Sequence, residues 1–171
     1  MREFKRIILH CTATREGQHY NVKDIRLWHT SPPRNWSDIG YHYLIQIDGT
    51  IEIGRPITKI GAHTKGENED SIGIAYVGGL DRNTDRPKDT MTVEQEIAFL
   101  RLVDSSRLIF GEISLHGHNE FSSKACPSFN VNEKFKFLNK EYIEFIIAHW
   151  SEIALIVVAA AMIQHKQGKR K

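Results

Sequence analysis

Arg6-Ile7-Ile8-Leu9-His10-Cys11 is a run of β-branched and apolar residues that stops on two side chains able to bind a metal. Short runs of this kind read as strands, because branched side chains pack well on a pleated surface. Similar runs follow at 41–47, 50–54, 71–77 and 113–118. Asp48-Gly49 separates the second from the third and marks a hairpin, since glycine tolerates the positive φ that a tight turn demands. Helical spacing fills the intervals. Asn21 can cap a helix through Trp28 that presents Val22, Ile25 and Trp28 on one side. Thr92-Val93-Glu94-Gln95 has the form of a capping box and opens a second helix towards Ile109, with Ile97, Leu100, Val103 and Leu108 expected to face the core. The stretch 80–90, rich in Asp, Arg and Pro, reads as a surface loop. Strands interleaved with helices predict an α/β fold, a mixed central β-sheet flanked by helices.

The chain has 171 residues, 40% hydrophobic and 26% charged, which is the usage of a globular domain and excludes disorder as its main theme. Its length suits one domain with an appendage, and such a domain can bury a core without disulfide staples. Two cysteines, Cys11 and Cys126, are too few for a disulfide framework and leave room for a metal or catalytic thiol. The net charge of +2 hides an asymmetry: Lys166, Lys169, Arg170 and Lys171 crowd the last eight residues, and without these four of the 23 basic residues, 19 face 21 acidic ones. A body of that balance argues against nucleic acid as the main partner. Near the start, Ile7-Ile8-Leu9 is too short for a signal-peptide core, so the expectation is a chain made in the cytoplasm with no N-terminal export signal.

Residues 142–163 read differently. The run YIEFIIAHWSEIALIVVAAAMI carries two charges, Glu144 and Glu152. As a helix it would extend about 33 Å, against a bilayer core of about 30 Å. An acid held near mid-membrane costs roughly 2.5–3.5 kcal/mol, and the uninterrupted apolar part, 153–163, is half the full run. Trp150 and the basic tail resemble membrane-flanking features. The expectation is a domain boundary after residue 138, then at 139–171 an added C-terminal hydrophobic helix and basic tail in contact with a membrane through 142–163. A helix packed on the domain or against a second copy is the competing expectation.

Nine histidines and the two cysteines form the potential ligand set. His10 ends the first strand, and strand ends are where sites collect in sheets of this kind. His116, His118 and Cys126 gather around a later strand end and the turn after it. Neutral imidazole and thiolate are good zinc ligands, and a catalytic zinc keeps three protein ligands and one open position. The eight-residue step from His118 to Cys126 matches no zinc finger, so a satisfied strand-end histidine and a buried inert cysteine compete with the metal reading.

Five blocks occur in order: Ile7-Ile8-Leu9-His10-Cys11-Thr12-Ala13-Thr14; Gly40-Tyr41-His42-Tyr43; Gly61-Ala62-His63; Asn68 with Ser71-Ile72-Gly73; and His118-Asn119-Glu120 with Lys124-Ala125-Cys126-Pro127-Ser128-Phe129. Together, over residues 3–138, they resemble the zinc-dependent N-acetylmuramoyl-L-alanine amidases of the phage T7 lysozyme type, relatives of the animal peptidoglycan recognition proteins. The resemblance implies one zinc held by His10, His118 and Cys126, with Tyr41 and Lys124 on catalytic positions and His63 on the wall of the substrate groove. His42 and His116 fall outside the ligand pattern. Cys11 is expected to be a small packed residue, since a fourth thiolate would close the site to water. The implied substrate is peptidoglycan, cut between N-acetylmuramic acid and L-alanine for phage or prophage lysis or other cell-wall degradation. A non-catalytic peptidoglycan-binding module with a structural zinc is the alternative; members of the superfamily that only recognise peptidoglycan typically lack the cysteine ligand, which is present here.

Overall fold

The computed structural model describes residues 2–136; the boundary at 138 and the expected C-terminal helix at 142–163 lie outside the described residues. Strands β1 (Arg6–Cys11), β3 (Tyr43–Ile45), β4 (Ile51–Ile53), β5 (Ser71–Tyr76) and β7 (Ser114–Gly117) form a sheet in the order β4-β3-β5-β1-β7. β1 pairs in parallel with both β5 and β7, β3 is parallel to β5, and β4 runs antiparallel to β3. The sheet is therefore mixed, as expected. Short strands β2 (Thr14–Arg15) and β6 (Gly79–Leu80) pair beside it. No helix of the described residues is long and apolar enough to cross a membrane.

The central strands carry near-continuous apolar runs because both of their faces are covered. Successive side chains alternate between the faces. Ile7, Leu9 and Cys11 of β1 join Ile72, Ile74 and Tyr76 of β5 in one core, under helix α2 (Val93–Phe110). The opposite face is different. Leu44, Ala75 and Val77 there meet Val22 and Ile25 of helix α1 (Val22–Thr30). Register pairs Arg6 with Ser71, Ile8 with Gly73 and His10 with Ala75. On that face β5 thus offers Ser, Gly and Ala, which leaves room beside His10 for other rings.

The hairpin forms as expected. Gly49 has φ 82°, and the amide of Gln46 donates to the carbonyl of Thr50 at 2.9 Å. Asn21 caps α1 through the amides of Lys23 and Asp24, and the helix runs two residues past Trp28. α2 opens at Thr92 with the expected capping box, and its buried residues include Gln95, Phe99, Leu100, Leu102, Val103 and Ser106. Leu100 and Val103 are buried as expected, whereas Ile97 is only half-buried and Leu108 is 61% exposed, which corrects the expected core face at those two positions. The reason is phase: nine residues separate Leu108 from Phe99, about two and a half turns, so the two point opposite ways. Gln95, fully buried, donates from Nε2 to the carbonyls of Ile45 and Val77 and fixes α2 over the sheet.

Candidate metal centre

His10 sits at the C-terminal end of β1 and is 1% exposed. A 3-10 helix, His118–Glu120, follows β7 directly and brings His118 to the same end of the sheet. The Glu120 carboxylate accepts from the Gly117 amide at 2.7 Å and pairs with His116 Nδ1 at 2.7 Å, which holds the turn and occupies His116 away from the centre. Cys126 arrives on the turn beyond. That turn is pinned by the Tyr76 hydroxyl donating to the Pro127 carbonyl at 2.7 Å and by Ser128 Oγ donating to the Gly79 carbonyl at 2.7 Å. The Cys11 amide donates to Cys126 Sγ at 3.2 Å.

These placements bring the donor atoms of His10, His118 and Cys126 within 4.8 Å of one another, with Cys126 Sγ 3.7 Å from His10 Nδ1. Ligands about 2.0–2.3 Å from a tetrahedral zinc lie about 3.5 Å apart, so the three donors fit after a small contraction. Two imidazoles and one thiol also match a zinc that keeps one position open. Burial, then the neighbouring histidines and Lys124, hold His10 well below the usual imidazole range, and burial, then Lys124, lower His118. Both rings are thus neutral, the form that can ligate. The hydrogen bond with the Cys11 thiol, then burial, push the Cys126 thiol up. A cation is the group whose charge would reverse that.

Two expected catalytic residues flank the donors. Tyr41 packs its ring 5.1 Å from His10 and 5.3 Å from His29. Burial, then the two cysteines, raise its phenol above the ordinary tyrosine range, so it carries its proton at neutral pH. Lys124 is exposed on the turn before Cys126, close enough for its charge to bear on both histidines. Cys11 points into the α2 core, as a small packed residue does.

His63, expected on the groove wall, is 8% exposed and packs its ring edge-on against His10, with centroids 5.0 Å apart. Its Nδ1 is 3.1 Å from His10 Nε2 and its Nε2 is 3.3 Å from Ser71 Oγ. Asn68 Oδ1 accepts from the amides of both His63 and Thr64, which explains that asparagine in the sequence block. His42 is a satisfied core histidine, accepting from the Gly73 amide at 2.9 Å and donating to the Lys59 carbonyl at 3.1 Å. Sequence reasoning gave no role to Thr64 or Ser71. The signal was the small-residue alternation Ser71-x-Gly73-x-Ala75, which marks a strand face that must accommodate something bulky.

Residues 1–129 match the family model described as N-acetylmuramoyl-L-alanine amidase. The chain is 41% identical over 128 residues to the endolysin of Escherichia phage T7, covering 73% of this chain and 81% of that one. It is 32% identical over 133 residues to peptidoglycan-recognition protein SC2 of Drosophila simulans, covering 72% and 68%. Its fold is similar to that of the N-acetylmuramoyl-L-alanine amidase LysC of Clostridium intestinale, with a TM-score of 0.67 at 28% identity over 80% of this chain and 86% of that one.

Proposed function

The chain belongs to the N-acetylmuramoyl-L-alanine amidase family and is an amidase, and from that premise we propose that it hydrolyses the bond between N-acetylmuramic acid and L-alanine of the peptidoglycan stem peptide with one zinc held by His10, His118 and Cys126. The observation that carries this reading is the convergence of two imidazoles and one thiol at the end of the central sheet, their donor atoms within 4.8 Å of one another. When bound, zinc supplies Lewis-acid polarisation of the amide oxygen and lowers the pKa of water towards about 7. The chain's own residues do the rest. Lys124 brings positive charge to the oxygen on which negative charge develops as the amide carbon becomes tetrahedral. Tyr41, held protonated by burial, donates a hydrogen bond rather than acting as a base. Similarity to the endolysin of phage T7 supports a use in lysis of the bacterial wall, at which we place its action.

Digestion of purified peptidoglycan tests the chemistry. New L-alanine amino termini and free stem peptides are the expected products. Release of reducing sugars, cleavage within the peptide, or binding without any cleavage would overturn the reading, the last in favour of a recognition module.

A further inference from the structure

We propose that His63 is a positioning residue of the metal centre: it accepts the Nε2 proton of His10 and thereby commits His10 to present Nδ1 to the metal. The inference rests on the reading of His10 as a ligand, and it follows from tracing protons inwards from a group that cannot donate. The hydroxyl of Ser71 lies against the carbonyl of Glu67, and a carbonyl only accepts, so Ser71 donates there. Ser71 Oγ then offers a lone pair to His63 Nε2, 3.3 Å away, which makes that nitrogen the protonated one. In a neutral ring the other nitrogen, Nδ1, is an acceptor. It faces His10 Nε2 at 3.1 Å and Thr64 Oγ1 at 3.1 Å.

His10 Nε2 must therefore carry a hydrogen, because two bare ring nitrogens 3.1 Å apart would repel. His10 Nδ1 is left with its lone pair, on the side of Cys126 Sγ. Thr64 Oγ1, 3.3 Å from His10 Nε2, can share the same proton as acceptor. The chain Glu67 carbonyl–Ser71–His63–His10 thus has one direction, set at its buried end.

Three features show that the site is built for this ring. A methyl group at Gly73 would lie 2.3 Å from His63 Cδ2, and one at Gly61 would lie 2.5 Å from the same atom. Asn68 fixes the backbone amides of 63 and 64. Burial of His10, His63, Thr64 and Ser71 keeps water from replacing any link. Both nitrogens of His63 are engaged by protein groups.

Outer-shell partners of metal-bound histidines typically change metal affinity by about 10–100-fold. The test uses the full chain, with zinc affinity read by competition with a chromophoric chelator and histidine tautomers read by long-range 15N–1H NMR. His63→Leu is expected to weaken zinc about 10–100-fold. His63→Asn, whose Oδ1 can stand where Nδ1 does, is expected to recover most of that loss. NMR of the unsubstituted protein should show His10 protonated on Nε2 and His63 protonated on Nε2. Zinc bound as tightly by His63→Leu as by the parent, no advantage of Asn over Leu in folded variants, or His10 protonated on Nδ1 would each overturn the proposal. If the variants fail to fold, the tautomers of the parent decide. If the parent binds no zinc, the ligand reading fails, while the same tautomers still test the hydrogen-bond chain.

Discussion

The two sides of the centre are made differently. The floor joins His10 of β1 and Ser71 and Gly73 of β5 to His63 and Thr64 from the segment that leads into β5, and its polar side chains are buried and bonded to one another. The rim, which carries Lys124 and Cys126, is a turn after the last strand, held by a few bonds from Tyr76, Ser128 and the Cys11 amide. A floor of this kind, buried and bonded on every side, fixes the direction of a ligand lone pair to within a rotamer, which an exposed turn does poorly. A rim leaves a charged amine exposed where a large polymeric substrate can reach it. On the proposed function, the division would put precision at the histidine ligand of the floor and access at the rim.

Substitutions that act on one side alone sharpen the comparison. Cys126→Ser removes a ligand from the rim. It should abolish tight zinc binding and lower amide cleavage on the order of 10³-fold or more, with the apo fold retained, as read by metal analysis and circular dichroism. Lys124→Met removes only rim charge. It should lower kcat roughly 10²–10³-fold with zinc content unchanged; an equal loss of zinc would mean that Lys124 supports the site structurally. Tyr41→Phe should lower kcat in the same sense, roughly 10²-fold, also with the metal in place.

Acid should act on the interior. His42 and His29 are each held down to about 4, by burial first and by nearby arginines. Unfolded, both would titrate near 6.5, so between those values the unfolded chain binds more protons. Stability should therefore be full above pH 6.5 and fall as the pH drops towards 4, by up to about 3 kcal/mol for each ring. Chemical denaturation of the zinc-stripped chain at a series of pH values checks this, and a flat profile would contradict it. The smallest effect is expected from Gly73→Ala. Its methyl would press on His63, and overpacking of this kind costs about 1–3 kcal/mol. The melting temperature should fall in the apo chain, and zinc affinity should fall with it, because the floor is what moves.

Much of this was legible in the residues. β1 was readable to its last residue, and both helix caps were visible as Asn21 and Thr92, because capping and apolar runs are local effects. The core face of α2 was legible only in part: Leu100 and Val103 are buried as read, but Phe99 and Gln95 are selected by the sheet beneath them and Leu108 lies out of phase with them. His10, His118 and Cys126 were named on the strength of a family resemblance, and spacing alone would not have joined residues more than a hundred positions apart. The contact of His63 with His10 was not legible, for a physical reason. Nothing local distinguishes a histidine that faces a groove from one that faces another histidine; the difference lies in the small residues of β5, a strand distant in sequence from β1.

The central claim is that one zinc on these three donors makes the chain an amidase. The most direct measurement titrates zinc into the stripped full-length chain while release of stem peptide from peptidoglycan is followed. The account predicts no cleavage before addition, a rise that saturates at one zinc per chain, and no such rise for Cys126→Ser. Cleavage by the stripped chain, or a Cys126→Ser titration that overlays the parent, would contradict it.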